Sequence, residues 1–449
     1  MATSVKYLLT SFAKANASHN NGPFLLTELP AMTRLPCVHA LRLLLVLVTS
    51  LAAAPQAFAQ EIVGVYLTWK QDPTTTMTIN WVDMFTTGSS TIWHREKGGK
   101  DWTAAKAATS LVGETTMQLR RLELTKLKPG STYEFTIGET SNSSTTIYRF
   151  RTMPATFERP ITFVTGGDMM HTRAMVDAMN TQAAKLDPDF ALLGGDLAYA
   201  NGVSAIRWVN WLESWSKLMV GKDRRLIPMV VTIGNHEVRS KAPSKLPADR
   251  APFFYSLFDL PEGRSYYALD FADYLSLIIL DTNHTQPIEG AQTDWLAKAI
   301  AARADQTFLF ACYHYPAYGT TKAPKGKLPI DATGSINIRK NWVPLFEKYG
   351  ISVAFENDHH NYKRSHRMRN HERDDDNGIL YLGDGAWGVT TRTVPKKEDG
   401  WWLANAESRR HLWFVNMNPK GTAKIQAIDD KGKVFDEVEL KEPRTKPVP

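Results

Sequence analysis

The amino-acid sequence predicts an α/β domain preceded by an all-β domain, and three observations support this. Residues 61–152 form short alternating strands separated by turn residues, with no convincing helix, which indicates an antiparallel sandwich. From Pro160 onward the pattern changes to strand, helix, strand. The strands in this second part are followed by Asp, Asn, His and Tyr residues, which we expect to meet in one crevice at the carboxyl ends of an open sheet. At 449 residues the chain is also long enough for two domains.

The first 59 residues read as a leader and signal peptide. Arg34 and Arg42 flank the start of the apolar run Leu41–Leu51, and Ala57-Phe58-Ala59 offers a small-x-small cleavage site. The apolar run is short for a membrane-spanning helix, and an internal core helix is the alternative. We therefore expect export to the periplasm, the cell surface or the extracellular medium, with cleavage after Ala59.

Charge and cysteine content narrow the class of protein. A composition of 43% hydrophobic and 22% charged residues is that of a globular protein. Removal of residues 1–59 deletes four basic groups and one acidic group and lowers the formal charge from +7 to +4. Such a mild charge predicts neither a nucleic-acid partner nor a membrane partner after signal cleavage. Cys312 is then the only cysteine, and its apolar strand indicates a buried structural thiol.

Residues 60–156 are assigned to the all-β domain. Its predicted strands are Val63–Trp69, Thr76–Trp81, Thr91–His94, Thr116–Leu122, Thr132–Ile137 and Thr146–Arg151. The segment from Leu127 to Tyr133 resembles the turn and tyrosine that precede a late strand in fibronectin type III domains, with Trp81 as the core tryptophan. We expect this fibronectin type III-like domain to have a structural and orienting role.

Residues 157–441 are assigned to the α/β domain, and residues 442–449 to a disordered tail. The strands that precede metal-type residues are Ile161–Gly166, Phe190–Gly194, Met229–Ile233, Phe308–Tyr313 and Ile351–Phe355. Helical spacing covers Thr172–Lys185, Ala205–Met219, Gly290–Arg303 and Asn337–Tyr349, and closing strands cover Ile379–Leu382, Leu412–Met417, Ala423–Ile428 and Val434–Leu440. Trp208, Trp211 and Trp215 fall on one helix face, which favours core packing over a ligand cage.

The residues after those strands indicate a site for two metal ions. The segments are Gly167-Asp168, Gly195–Tyr199, Gly234–Glu237, His314 and Asn357–His360. Hydrolysis of a phosphate ester needs its charge neutralised and a hydroxide near neutral pH, and two cations about 3.5–4 Å apart supply both. Asp196 is the candidate bridging ligand, and Asp168, Asn235, His314 and His360 are further ligands. A phenolate from Tyr199 favours a hard trivalent ion such as Fe(III).

Taken together, Gly-Asp-x-x-Tyr and Gly-Asn-His-Glu resemble the motifs of the purple acid phosphatases, within the calcineurin-like metallophosphoesterases. The resemblance covers nearly all of the mature chain and implies a four-layer αββα sandwich after the fibronectin-like domain. It implies that Asp168, Asp196, Tyr199 and His360 hold Fe(III). It also implies that Asp196, Asn235, His314 and one more residue hold a divalent ion (Zn, Fe or Mn). His236 would then contact the phosphate and assist the leaving group, so that His236 and Asp196 are the catalytic candidates.

Two departures from the family pattern concern the metal ligands. The last motif normally reads Gly-His-x-His, and alignment on Tyr362-Lys363-Arg364 places Asp358 at the first histidine. Asp358 is a competent ligand and shares a strand face with His360, whereas His359 would need a local backbone shift. His171 lies one position after the place where related enzymes carry a ligand histidine, and we interpret it as facing the substrate or as supporting the metal ligands.

A third departure lies in the loop after His314, which lacks the additional histidines of many family members. It offers Tyr315, Tyr318, Lys322, Lys325 and Lys327 instead. Lysine binds phosphate as a point charge, so Lys322 is a candidate substrate-binding residue. Lysines in a loop that is only solvated are the alternative.

The sequence therefore predicts an exported binuclear phosphatase that hydrolyses small phosphomonoesters through attack by a metal-bound hydroxide, with a homodimer possible. A phosphodiesterase on the same scaffold is the nearest alternative, because the ligand set does not fix the number of ester groups. An extracellular binding protein with a degenerate metal site is the alternative from another class, motivated by the Asp358 substitution.

Overall fold

The structure, a computed structural model, describes residues 62–84, 88–144, 146–396 and 399–441, which all belong to one compact unit. The predicted leader and signal peptide (1–59) and the predicted tail (442–449) lie outside the described residues. Among the described residues, no helix is both long and apolar enough to cross a membrane.

The N-terminal domain is an antiparallel β-sandwich, as predicted. Its strands are β1 (Ile62–Thr68), β2 (Met77–Asp83), β3 (Thr91–Glu96), β4 (Thr103–Lys106), β5 (Ala108–Leu111), β6 (Gln118–Leu124), β7 (Thr132–Ile137) and β8 (Tyr148–Arg151). They form two four-stranded sheets in the orders β1-β2-β6-β5 and β4-β3-β7-β8. Strands β4 and β5 escaped sequence analysis because they are largely exposed and lack apolar alternation.

The core of this sandwich contains the two aromatic residues that the sequence singled out. Trp81 is fully buried. Tyr133 accepts a hydrogen bond from the Lys128 backbone N–H at 2.9 Å, and its ring stacks on Phe150 at 5.4 Å between centroids. The tyrosine thus fixes the turn before its own strand to the core.

The second domain contains two large β-sheets and a two-stranded ribbon. The strands of the domain are β9 (Ile161–Gly166), β10 (Phe190–Leu193), β11 (Met229–Val231), β12 (Tyr267–Phe271), β13 (Leu275–Ile279), β14 (Phe308–Cys312), β15 (Val353–Phe355), β16 (Tyr362–Ser365), β17 (Met368–Arg369), β18 (Glu372–Arg373), β19 (Leu380–Gly383), β20 (Leu403–Glu407), β21 (His411–Met417), β22 (Ala423–Asp429) and β23 (Val434–Leu440). The six-stranded sheet has the order β11-β10-β9-β21-β22-β23 and the seven-stranded sheet β12-β13-β14-β15-β19-β16-β20. The two sheets agree with the four-layer αββα sandwich that the resemblance implies. The site residues follow strands of both sheets and not of one open sheet: β9, β10 and β11 lie in one sheet, and β14 and β15 lie in the other.

Aromatic side chains hold the two sheets together. The ring of Phe163, on β9, lies 6.1 Å from that of Phe310 on β14 and 5.9 Å from that of Phe355 on β15. It also stacks on Phe190 of β10 at 4.9 Å. Because each sheet is parallel around these strands, the packing brings five strand carboxyl ends to one edge.

Helices complete the four-layer arrangement. They are α1 (Arg173–Lys185), α2 (Ala205–Leu218), α3 (Pro247–Arg250), α4 (Pro252–Leu257), α5 (Ala291–Ala301), α6 (Thr333–Asn341) and α7 (Val343–Tyr349), with 3₁₀ turns at Lys222–Arg224, Pro261–Gly263 and Pro329–Asp331. Helix α1 packs beside β21, and apolar residues of α5, α6 and α7 form one cluster with β14. The predicted helix Asn337–Tyr349 was wrong: it is divided at Trp342, where Pro344 has no N–H to continue the hydrogen-bond ladder.

Strand β1 packs directly on α2 and joins the two domains. A Cβ on Gly64 would lie 2.8 Å from the Leu212 carbonyl oxygen, so only glycine permits this approach. The Val65 N–H donates to Ser216 Oγ at 3.0 Å. On the same helix the predicted core tryptophans, Trp208, Trp211 and Trp215, are buried. The N-terminal domain is therefore part of a continuous core.

Candidate metal centre

Most of the predicted ligands lie on strained backbone just beyond the strand ends. Five of the seven have positive φ: Asp168 (57°), Asp196 (53°), Tyr199 (54°), Asp358 (77°) and His360 (59°). For residues with a Cβ this left-handed conformation costs about 1–2 kcal/mol. Such strain persists where the surrounding structure enforces it, typically at functional sites.

The glycines of the motifs allow the site loops to approach each other. A Cβ on Gly194 would lie 2.0 Å from Asn357 Nδ2, which donates to the Tyr313 carbonyl at 3.0 Å. A Cβ on Gly385, at φ +67°, would lie 1.8 Å from Asp168 Oδ2. These glycines are therefore required by the packing of loops from both sheets.

One side of the centre, which we call the tyrosine pocket, consists of Asp168, Tyr199 and His360. The Tyr199 hydroxyl donates to Asp168 Oδ1 at 2.9 Å and lies 2.9 Å from His360 Nε2, which is itself 2.9 Å from Asp168 Oδ1. Three donor atoms thus form a triangle with equal sides. Neighbouring ligands at about 2.1 Å from one ion and at right angles lie about 3 Å apart, so the triangle fits one face of a coordination shell.

The other side, the asparagine pocket, consists of Asn235, His314 and Asp358. His314 Nε2 lies 3.1 Å from Asn235 Oδ1 and 3.7 Å from Asp358 Oδ1. It also lies 3.3 Å from Asp196 Oδ1, which belongs to the residue between the two pockets. His314 Nδ1 lies 2.8 Å from the Gly194 carbonyl, a partner that accepts Nδ1–H and leaves Nε2 facing the pocket.

The residues present fit metal cations. Asp168, Asp196 and His314 each offer a ligand atom within 4.8 Å of the others, and all three are buried. Asp196 Oδ2 accepts no hydrogen bond from the residues that the structure describes. A buried carboxylate oxygen without a partner is costly, and a cation would satisfy it. Carboxylate, phenolate, amide and imidazole donors suit iron, zinc and manganese.

The pKa values of the site show how strongly the carboxylates act on their neighbours. Burial alone would lower the pKa of His314, but the negative charge of Asp196, with Asp168 and Asp358, raises it to about 10. Burial raises the pKa of Tyr199 well above its usual range, and the charges of Asp168 and Asp196 add to this. A cation acts in the opposite sense, because it stabilises the phenolate and the free imidazole nitrogen.

Asp358, and not His359, faces the asparagine pocket. His359 Nδ1 accepts hydrogen bonds from the backbone N–H groups of Thr320 (3.0 Å) and Thr321 (2.9 Å). Its ring is buried and packs against Gly319. His359 therefore holds the loop after His314, and Asp358 remains our candidate for the last ligand.

The predicted substrate-facing residues lie around the same centre. The backbone N–H of His236 donates to Asp196 Oδ1 at 2.7 Å, and its ring stacks on Tyr199 at 4.2 Å. The edge of the His171 ring contacts Tyr199 and His360, and its Nδ1 accepts from the Thr390 N–H at 3.1 Å.

The side chain of Lys322 is partly exposed and forms an ion pair at the metal centre. Its Nζ lies 2.5 Å from Asp358 Oδ1.

Three supporting residues had no assigned role in sequence analysis. Glu237 accepts backbone N–H bonds from Asp196 and Gly234 at 2.8 Å and from Leu197 at 2.9 Å, and so fixes two site loops. Asn201 Oδ1 accepts from His236 Nδ1. Arg392 Nη1 donates to the Asp358 carbonyl at 2.9 Å. Glu237 lies inside the Gly-Asn-His-Glu motif and was therefore detectable, whereas Asn201 and Arg392 lie outside any motif.

Comparisons with known proteins agree with this geometry. The sequence-family model of the purple acid phosphatase N-terminal domain matches residues 62–152. The sequence-family model of the calcineurin-like phosphoesterases matches residues 167–362. The chain thus combines a purple acid phosphatase N-terminal domain with a calcineurin-like phosphoesterase domain. The family prediction and the predicted fold class are thus confirmed.

Relatives support the same assignment. Purple acid phosphatase 15 of Arabidopsis thaliana is 26% identical over 70% of this chain and 62% of its own length. An uncharacterized protein of Mycobacterium tuberculosis is 22% identical over 75% of this chain and 65% of its own length. The match thus spans less than two thirds of either relative. The structure of a purple acid phosphatase from yellow lupin seeds superposes with a TM-score of 0.71 at 16% identity, over 85% of this chain and 74% of the lupin chain, which shows the shared fold.

Proposed function

We propose that this protein is a metal-dependent phosphatase that hydrolyses small phosphomonoesters at the Asp196 centre. The observation that supports this proposal most directly is the buried Asp196 carboxylate. It lies between two ligand pockets, and one of its oxygens accepts no hydrogen bond in the described structure. Such an arrangement suits a carboxylate shared by two cations.

Each pocket provides a different donor set. Asp168, Tyr199 and His360 would hold Fe(III) together with Asp196, because the phenolate and carboxylates are hard donors. Asn235, His314 and Asp358 would hold a divalent Zn, Fe or Mn ion, again with Asp196. When bound, the pair of ions neutralises the charge of the phosphate and lowers the pKa of water at the site.

His236 is positioned to move a proton to the leaving group. Asn201 Oδ1 accepts the Nδ1–H of the imidazole, so Nε2 points into the site, 3.8 Å from Asp196 Oδ2. Stacking on Tyr199 restrains rotation of the ring. The imidazolium form can then donate its Nε2 proton to the ester oxygen as the bond from that oxygen to phosphorus breaks, which leaves the neutral imidazole with its proton on Nδ1.

The experiment that tests this function counts metal ions and compares substrates. The full chain is equilibrated with iron and micromolar zinc, desalted and analysed by mass spectrometry, with turnover of p-nitrophenyl phosphate and bis(p-nitrophenyl) phosphate measured on the same sample. We expect about two ions per chain, at least one of them iron, and faster turnover of the monoester. Faster turnover of the bis-ester would indicate the phosphodiesterase. No bound metal and no turnover would indicate the binding protein with a degenerate site.

Export, a small phosphoester substrate, the absence of nucleic-acid and membrane partners, and a homodimer remain predictions from the sequence. The signal-peptide pattern of residues 1–59 supports export as part of the proposal.

A further inference from the structure

The ion pair between Lys322 and Asp358 sets the asparagine pocket apart from the tyrosine pocket. Lys322 Nζ lies 2.5 Å from Asp358 Oδ1, the oxygen that also faces His314 Nε2 at 3.7 Å. The Asp358 side chain is 4% exposed and that of Lys322 is 40% exposed. A proposed metal ligand thus already holds a positive charge that comes from the chain itself.

We propose that Lys322 is a built-in competitor for the second cation. Its ammonium pairs with Asp358 until a divalent ion displaces it, so the asparagine pocket fills at a higher free-metal concentration than the tyrosine pocket. The inference rests on the proposed function, since it assigns Asp358 as a metal ligand.

The loop that carries Lys322 is fixed in place. The N–H groups of Thr320 and Thr321 donate to His359 Nδ1, and the Thr320 hydroxyl donates to Asp384 Oδ2 at 2.8 Å. A Cβ on Gly319 would lie 2.2 Å from His359 Cε1, so the loop and the ring are in close contact. The backbone of Lys322 itself has a φ of 58°. Lys322 thus follows two anchored threonines, and its strained backbone and its contact with Asp358 direct the partly exposed side chain to the site.

A buried charge cluster fixes the start of the same loop. Glu356 accepts hydrogen bonds from the Tyr313 hydroxyl at 2.7 Å and from the Ala317 N–H at 2.6 Å, and it pairs with the buried Lys363. Lys325 is exposed like Lys322, but it has no ion pair among the described residues. Lys322 is therefore distinguished from its loop neighbour by both its anchoring and its partner.

Among the residues that the structure describes, no lysine pairs with a side chain of the tyrosine pocket. Within the described structure the Asp168 carboxylate is contacted by Tyr199, His360 and the backbone N–H of Asp358, at 2.8–2.9 Å. A divalent ion carries twice the charge of an ammonium and can displace it from Asp358 at sufficient concentration. The displaced ammonium remains on a flexible stem beside the pocket, where it can pair with a phosphate oxygen.

Metal titration of lysine variants tests the competition. The full chain is stripped with a chelator and equilibrated against graded Zn(II), and the bound ions are counted by mass spectrometry. For Lys322→Met we expect the second ion to bind at least about tenfold more tightly, equivalent to about 1.4 kcal/mol, with the first ion unchanged. Lys325→Met, the matched control in the same loop, should bind both ions as the wild-type protein does. Lys322→Gln, which keeps a polar tip, should reproduce the shift.

The possible failures are distinguishable. A second ion bound by Lys322→Met with unchanged or lower affinity would overturn the inference while leaving the proposed two-metal site in place. Failure of the wild-type protein and all variants to take up zinc would overturn the proposed function as well. Thermal unfolding, followed by circular dichroism, checks that the metal-free variants are folded, so that all titrations are made on folded protein.

Discussion

Two aspartates at opposite ends of strand β10 show how the same side chain serves stability at one place and chemistry at another. Asp189 precedes the strand and is 4% exposed; Asp196 follows it and is fully buried. Asp189 pairs with Arg151 at 2.6 Å and with Arg159 at 2.9 Å, and it accepts the Thr162 N–H at 3.0 Å. In the described structure Asp196 pairs with no arginine or lysine, and its Oδ2 accepts no hydrogen bond.

The comparison shows that the protein neutralises the buried charge of Asp189 with its own arginines but does not do so for Asp196. Burial by itself would raise the pKa of Asp189, but its hydrogen bonds and charge contacts with Arg159 and Arg151 bring it below the usual value. Around Asp196, burial raises the pKa of Asp358, since its cationic neighbours only partly offset the effect. An incompletely neutralised acidic cluster reduces the stability of the metal-free protein and creates affinity for cations.

The largest expected effect comes from Asp196→Asn, which keeps the shape of the side chain and removes its charge. We expect kcat to fall at least about a thousandfold, or about 4 kcal/mol in the barrier, because both proposed cations lose their shared ligand. Metal content per chain should fall too. The free energy of unfolding of the chelated protein should change less than in Asp189→Asn, because Asp196 Oδ2 accepts no hydrogen bond in the described structure and Asp196 pairs with no arginine or lysine there.

Activity assays, metal analysis and urea denaturation of the chelated protein check this prediction. Wild-type activity or a full metal complement in Asp196→Asn would contradict the shared-ligand role. A large loss of stability in the chelated variant would instead contradict the contrast with Asp189.

The same substitution at the other end of the strand should have the opposite profile. Asp189→Asn should lower the free energy of unfolding by about 2 kcal/mol, because it leaves two arginines without their carboxylate; their partial exposure keeps the loss below that of a fully buried pair. Turnover per folded molecule and metal content should not change. Reduced metal binding in this variant would show that the ion pairs of Asp189 and the metal centre are coupled.

The stabilisation by Asp189 also depends on pH. Its pKa in the folded protein is depressed, so its contribution is fully present above the unfolded value of about 3.9 and is lost as pH falls through the folded value. The stability difference between wild type and Asp189→Asn should therefore narrow below about pH 4. Urea denaturation at a series of pH values measures it, and a constant difference would contradict the ionic origin.

Local sequence patterns were sufficient to predict an all-β domain, an α/β domain and the residues that gather at the centre. Asp168, Asp196 and His314 follow strands, and parallel strands bring such positions together without knowledge of the sheet order. The division into two sheets followed from the family resemblance and not from these patterns, because strand length and apolarity do not specify which strands pair. The contact between Lys322 and Asp358 depends on how two loops, 36 residues apart, pack across His359. The break in the predicted helix Asn337–Tyr349 was encoded locally by Pro344.

Asn201 was not predicted from the sequence, and its substitution should have a smaller effect on activity than that of Asp196. It accepts the Nδ1–H of His236 and belongs to the same loop as Asp196, yet it contacts neither ligand pocket directly. We expect Asn201→Ala to lower kcat about tenfold, within the range for residues that orient a functional imidazole, with metal content unchanged.

If His236 delivers a proton to the leaving group, the loss of kcat must be greater for an alkyl phosphate, whose leaving oxygen needs that proton, than for p-nitrophenyl phosphate. His236→Gln sets the upper limit of this difference, and Asn201→Asp, which retains the acceptor, should restore the ratio between the two substrates. An equal loss on both substrates would mean that Asn201 only supports the loop, and that the proton reaches the leaving group by another route.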